Sequence, residues 1–183
     1  MSSECPEADG SSPQRQRFKA PPPMCVDPAK TYGAAMVTSQ GTMTLSLDVA
    51  GAPKTVNNFV FLSRYHYYDG VGFHRIIPRF MLQGGDPEGT GRGGPGYRFA
   101  DELPRPGRYE VGSLAMANAG PDTNGSQFFI ISGPNGVALP PQYSLFGKVV
   151  AGLDVVAAIE ALGTPSGAPK EKVVIESVTI TES

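Results

Sequence analysis

Arg75 lies in the stretch 73–86, FHRIIPRFMLQGGD, a permanent cation among Phe73, Ile76, Ile77, Phe80 and Met81. A guanidinium does not lose its proton in a protein. At such a place it is either paired or set at the mouth of an apolar pocket, where it can donate a hydrogen bond to a bound group. A surface arginine with its stem along apolar neighbours is the simpler alternative. Other chemistries find little support in the pattern. His66, His74, Cys5 and Cys25 are too dispersed for a metal-ligand spacing. His74 alternates to the opposite side of its strand from Arg75 and reads as structural. No serine sits in a hydrolase motif. Gly89, Gly91 and Gly94 spell G-x-G-x-x-G. Pro95, Gly96, Pro104 and Pro106 nevertheless preclude the helix that a dinucleotide site needs, so this stretch reads as a long ordered loop. Neither a metal nor a cofactor is expected.

A second stretch of the same character, residues 116–129, reads MANAGPDTNGSQFF. With FHRIIP, FM, QGGDP, GTGRGGPGY and the later LFGKVV, it makes the chain from about residue 34 to residue 180 resemble the cyclophilin family of peptidyl-prolyl cis-trans isomerases. Several separate blocks in the right order carry the resemblance. It implies an eight-stranded antiparallel closed β-barrel capped by two α-helices, and an enzyme that accelerates isomerisation of X-Pro bonds without a cofactor. Its partners would be proline-containing peptides and folding proteins. The resemblance makes Arg75 the catalytic arginine and gives Gln83 the task of orienting it. Phe80, Met81, Phe129 and Leu139 become the proline pocket, and Gly89, Ala117, Asn118, Ala119 and Gln127 the peptide groove.

The chain departs from the best-known eukaryotic members at two places. It has no tryptophan, the equivalent position falling near Ala138, and Tyr143 stands where those members have a rim histidine. That pattern is bacterial-like. With the indole donor missing, weak binding of cyclosporin is expected. A proline-recognition module without turnover is the alternative function, because the same pocket would bind without catalysing; retention of Arg75 and Gln83 favours catalysis.

Elements that would position these residues follow from periodicity. Met43, Leu45 and Leu47 alternate with Thr42, Thr44 and Ser46 after a turn at Ser39, Gln40 and Gly41, which predicts a β-hairpin over residues 34–49. Pro53 opens a helix to about Tyr65, with Val56, Phe59, Val60 and Leu62 on the face turned to a sheet. Strands are predicted over residues 73–77, 80–83, 111–117, 127–132, 144–150 and 173–180. A second helix, around Leu153, Val156 and Ile159, stops at Gly163 and Pro165. Eight strands and two helices without regular βαβ alternation independently predict an antiparallel sheet closed into a barrel, mainly β in class.

The 183 residues carry a net charge of −2, which excludes the positive field expected of a nucleic-acid binder. Residues 1–30 hold six prolines, Pro21, Pro22 and Pro23 in a row, and no apolar periodicity. They read as a flexible arm before an isomerase domain at 31–183. Both cysteines fall in this arm, where free thiols are expected. No run is apolar and long enough to cross a membrane, so a monomeric cytoplasmic protein is expected.

Overall fold

A computed structural model of the chain describes residues 3–183. The order of elements is β1 (Tyr32–Thr38), β2 (Gly41–Leu47), α1 (Pro53–Arg64), β3 (Arg75–Ile77), β4 (Met81–Gly84), β5 (Ser113–Met116), β6 (Phe128–Ile131), α2 (Pro134–Val137), β7 (Leu145–Ala151), α3 (Leu153–Glu160) and β8 (Ile175–Glu182). All strand pairs are antiparallel, in the spatial order β3-β4-β6-β5-β7-β2-β1-β8. The predicted hairpin is β1–β2, with Met36 opposite Met43 and Ala34 opposite Leu45. Pro53 opens α1 at a position where the absent N–H leaves no bond unmade.

Two features of the predicted fold are corrected. The sheet is a curled half-barrel, open between its edge strands β3 and β8, rather than a closed barrel. Just beyond those strands, Gly72 and Val174 form a single bridge. The outer edge of β3 is taken up by a loop: Ile76 N–H donates to the Gly167 carbonyl at 2.9 Å, and Thr164 N–H donates to the Ile76 carbonyl at 3.1 Å. A loop that closes the edge in this way leaves no exposed ladder. The second correction is a third helix, α2, whose four residues are too few for any helical period to show in sequence.

Alternation in β3, β4, β5 and β6 divides the apolar residues between two faces. Ile76, Leu82, Leu114, Met116, Phe128 and Ile130 enter the main core with Phe59, Phe73 and Phe146. Ile77, Met81, Ala115, Phe129 and Ile131 point the other way and form a separate cluster with Tyr109. These short strands are apolar on both sides because both sides are covered. The second face is the one that carries the candidate site.

The N-terminal arm lies along the side of α1 that the sheet does not cover. Phe18 packs against Phe61 and Tyr65, with ring centroids 4.9 and 5.5 Å apart. The Asn57 side chain accepts from the N–H groups of Cys25 and Val26 and donates to the Pro23 carbonyl. Cys5 and Cys25 are joined in a disulfide, contrary to the free thiols expected. Their partnership depends on how the arm folds back across the helix, which sequence spacing does not encode. Because the arm takes the outer side, α1 is buried on both faces, from Thr55 through Arg64.

Candidate active site

The sheet register assembles the site from four strands. Arg75 on β3 is opposite Gln83 on β4, Gln83 is opposite Phe129 on β6, and Phe129 is opposite Ala115 on β5. These residues therefore share one face at neighbouring positions. Arg75, Phe80, Met81, Gln83, Ala117, Asn118, Phe129, Leu139 and Tyr143 line a cavity of about 160 Å³. That set contains both expected catalytic residues and all four expected pocket residues. It is apolar at the base and polar along one rim.

A chain of hydrogen bonds fixes that rim. Arg75 Nη1 donates to Gln83 Oε1 at 3.3 Å, Gln83 Nε2 to Gln127 Oε1 at 3.1 Å, and Gln127 Nε2 to the Gly93 carbonyl at 2.9 Å. Each amide both accepts and donates, so its orientation follows from its neighbours. The Arg75 guanidinium is exposed at the mouth and has donors to spare beyond the one directed at Gln83.

Tyr143 closes the opposite side. Its ring meets Phe129 edge-to-face, with centroids 5.4 Å apart. Tyr109 holds it there, donating its hydroxyl to the Tyr143 carbonyl at 2.6 Å and accepting from the Tyr143 N–H at 3.1 Å. Burial raises the Tyr109 phenol above its ordinary value and keeps it a donor. Leu139 enters from the turn after α2, and Asn118 Nδ2 donates across to the Gln142 carbonyl at 3.0 Å.

A second cavity, of about 620 Å³, shares Gln83, Ala117 and Asn118 with the first and adds Ala119, Gln127 and residues 91–98. The predicted groove residues Ala117, Asn118, Ala119 and Gln127 are thus brought together along one continuous depression. Gly89 is not among them: it lines neither cavity, and its N–H donates to the Asp86 carbonyl.

Asp86 organises the loop that walls this groove. The buried carboxylate accepts from the N–H groups of Glu88, Thr90 and Gly91 at 2.8, 2.9 and 2.7 Å. Burial pushes its carboxyl up, but bonds from the Glu88, Gly93, Gly91 and Thr90 backbone outweigh that and hold it below the ordinary value. Below the groove floor, Tyr67 donates to Ser126 Oγ at 2.8 Å, Ser126 Oγ to the Gly85 carbonyl at 2.7 Å, and Tyr68 to the Ser126 carbonyl at 2.9 Å. His74 lines neither cavity, and burial lowers its pKa, so it is neutral near pH 7.

Three supports lie outside the sequence motifs. Tyr109 precedes β5 as an isolated aromatic, with nothing local to mark its bond to Tyr143. Asp86 is visible as the acid of QGGDP, but its task of collecting backbone donors depends on the loop's shape. Gly167 packs against the Arg75 stem; the glycine within TPSG marks a turn, though not what the turn touches.

Comparison with known proteins gives the family. The family described as cyclophilin type peptidyl-prolyl cis-trans isomerase/CLD matches residues 34–180. The chain belongs to that family. It is 44% identical over 158 residues to the peptidyl-prolyl cis-trans isomerase-like 1 of Gibberella zeae, an alignment covering 83% of this chain and 96% of that protein. It is 45% identical over 172 residues to peptidyl-prolyl cis-trans isomerase A of Mycobacterium tuberculosis, covering 84% and 94%. A crystal structure of a Cryptosporidium parvum cyclophilin type peptidyl-prolyl cis-trans isomerase, obtained in the presence of the dipeptide Ala-Pro, superposes with a TM-score of 0.76. Its sequence is 36% identical, and the match covers 81% of this chain and 98% of that one.

Proposed function

We propose that the chain isomerises X-Pro bonds in peptides and folding proteins as a cofactor-independent monomer, with Arg75 acting on the twisted amide and the Phe80, Met81, Phe129 and Leu139 pocket holding the proline ring. The planar amide draws charge from nitrogen to oxygen. At the top of the barrier the nitrogen regains its lone pair, so a donor aimed at it binds the transition state more tightly than the ground state. Arg75 is that donor, and Gln83 keeps it aimed. A charge-assisted hydrogen bond contributes about 1.5 to 3 kcal/mol, or roughly ten to a hundred and fifty in rate. The apolar pocket adds to this by fixing the ring and by solvating the charge-separated planar amide less well than water does. The Ala-Pro dipeptide present with the Cryptosporidium parvum relative supports a proline-containing ligand here.

The observation that carries the proposal is the Arg75–Gln83 bond at the mouth of a cavity lined by Phe80, Met81, Phe129 and Leu139. Exchange NMR on a short X-Pro peptide tests it, comparing the native chain with Arg75→Ala at equal folded concentration. Exchange that is fast in the native chain and collapses in the variant establishes the catalytic arginine. Peptide binding without added exchange in either protein makes this a proline-recognition module instead. Cyclosporin binds weakly in this reading, since the pocket wall carries no indole donor; tight binding by isothermal titration overturns that. Residues 31–183 are proposed as the catalytic unit and 1–30 as its appended arm. Among the described residues no helix is long and apolar enough to cross a membrane. The cytoplasmic placement expected from the sequence is opposed by the Cys5–Cys25 disulfide, a bond that persists in oxidising compartments; trapping thiols in cells decides, a reduced pair restoring that placement and an oxidised pair removing it.

A further inference from the structure

The two cavities are joined through Gln83, Ala117 and Asn118. In an extended peptide, residues two apart present their side chains to the same side, about 7 Å from one another. The shared wall makes the cavities neighbours, so an extended peptide with its proline ring in the smaller one brings the side chain two positions away within reach of the larger. Three arginines stand on the wall of that cavity, Arg17, Arg92 and Arg98, against one carboxylate, Glu88. The local balance is positive although the chain as a whole carries −2.

Arg92 and Arg98 belong to the groove loop, whereas Arg17 comes from the N-terminal arm, and its backbone is held in place by its neighbour. Phe18 is 5% exposed and packs on Phe61, Tyr65 and Tyr97. Its N–H donates to the Pro95 carbonyl at 2.8 Å. Gly96 makes this approach possible, since a Cβ there would fall on the Phe18 carbonyl oxygen. The Arg15 guanidinium covers the Phe18 ring at 4.6 Å. Arg17 itself reaches Glu88 only at 3.9 Å, with both side chains exposed, a contact too weak to occupy it.

We propose that Arg17 is a specificity-determining residue of the isomerase, and that the larger cavity takes an acidic side chain two residues from the substrate proline. The proposal rests on the isomerase reading above. A unit charge about 6 Å away in a water-like medium changes binding roughly threefold, so Arg17 favours an acidic over a basic side chain by up to about tenfold, and reversing its charge shifts that preference by up to about a hundredfold.

The test uses the full-length protein and proline peptides carrying Glu, Lys or Ala two residues before or two residues after the proline. Exchange rates and dissociation constants are measured on the same peptides at low salt. Glu is expected to bind at least about threefold more tightly than Lys on one side of the proline. Arg17→Glu is expected to shift that ratio toward Lys by at least about tenfold. Lys19→Glu makes the same charge change two residues along the arm, away from the cavity, and is expected to leave the ratio within twofold. Equal binding of Glu and Lys peptides on both sides overturns the proposal. So does an equal response to the two substitutions, which would assign the preference to the general field of the chain. Absence of turnover on every peptide would overturn the isomerase reading alone, while the ratio of dissociation constants would still decide the role of Arg17.

Discussion

Gly167→Ala separates the support of Arg75 from the stability of the fold. Gly167 has φ of +91°, and a Cβ placed there would lie 2.9 Å from Arg75 Cγ, close to the start of the side chain rather than at its flexible end. Alanine in the left-handed region costs about 1 to 2 kcal/mol in any context. Relief of the contact requires Arg75 to swing about its first torsion, which displaces the guanidinium, or the loop to retreat, which takes away the contact that holds its stem. A displacement near 1 Å in a catalytic group can cost on the order of a hundredfold. We therefore expect kcat/KM for prolyl exchange to fall by about ten- to a hundredfold. Gly107→Ala is the matched control: φ is +80°, but nothing lies within 4 Å of the added methyl. The two variants should lose similar stability in urea unfolding while only Gly167→Ala loses activity. Exchange rates for Gly167→Ala within twofold of Gly107→Ala would refute the claim that the loop positions the arginine.

Two further outcomes follow from the loop and the arm. Asp86→Asn places an amide NH2 against backbone donors that the carboxylate satisfied, and should cost about 1.5 to 3 kcal/mol by chemical denaturation. Because the folded-state pKa of Asp86 is depressed, its contribution is complete above the ordinary carboxyl value near 4 and is lost as pH falls through the lower folded value. Hydrogen exchange in residues 86–97 should accelerate in that acid window in the native chain and show no such step in Asp86→Asn. Reducing Cys5–Cys25 opens a link spanning 20 residues. Since Phe18 and Val26 belong to the core, the arm unfolds with the domain, and chain entropy sets the loss at up to about 3 kcal/mol. A urea midpoint unmoved by a dithiol reductant would contradict this.

Local pattern carried much of the architecture. The alternation of Met43, Leu45 and Leu47 located β2, and Pro53 located the start of α1 to the residue. Arg75 stood out because a charge among Phe73, Ile76 and Ile77 requires a reason, and the register that puts Gln83 beside it is that of an ordinary short hairpin. Contacts between distant segments left little local trace. Gly167 looks like any turn glycine until the loop is seen against β3. Phe61 reads as one more apolar residue of α1, yet it lies on the outer side and reports the arm that covers it. Whether eight strands close completely depends on how far the sheet curls, a cumulative property that no single strand encodes.

The open seam of the half-barrel has a consequence for synthesis. β1 acquires its second partner only when β8 exists, and the outer edge of β3 is satisfied only by the loop at residues 164–167. Pairings between segments so far apart in sequence form late, because the intervening chain must first be closed into a loop. While the chain is still on the ribosome, Arg75 is made early but lacks the segment that fixes its stem until roughly ninety more residues have followed. The arm, made first, waits for α1 before Phe18 has anything to cover. A nascent chain of this protein therefore contains its own X-Pro bonds, 18 prolines in all, before it contains a completed site to isomerise them.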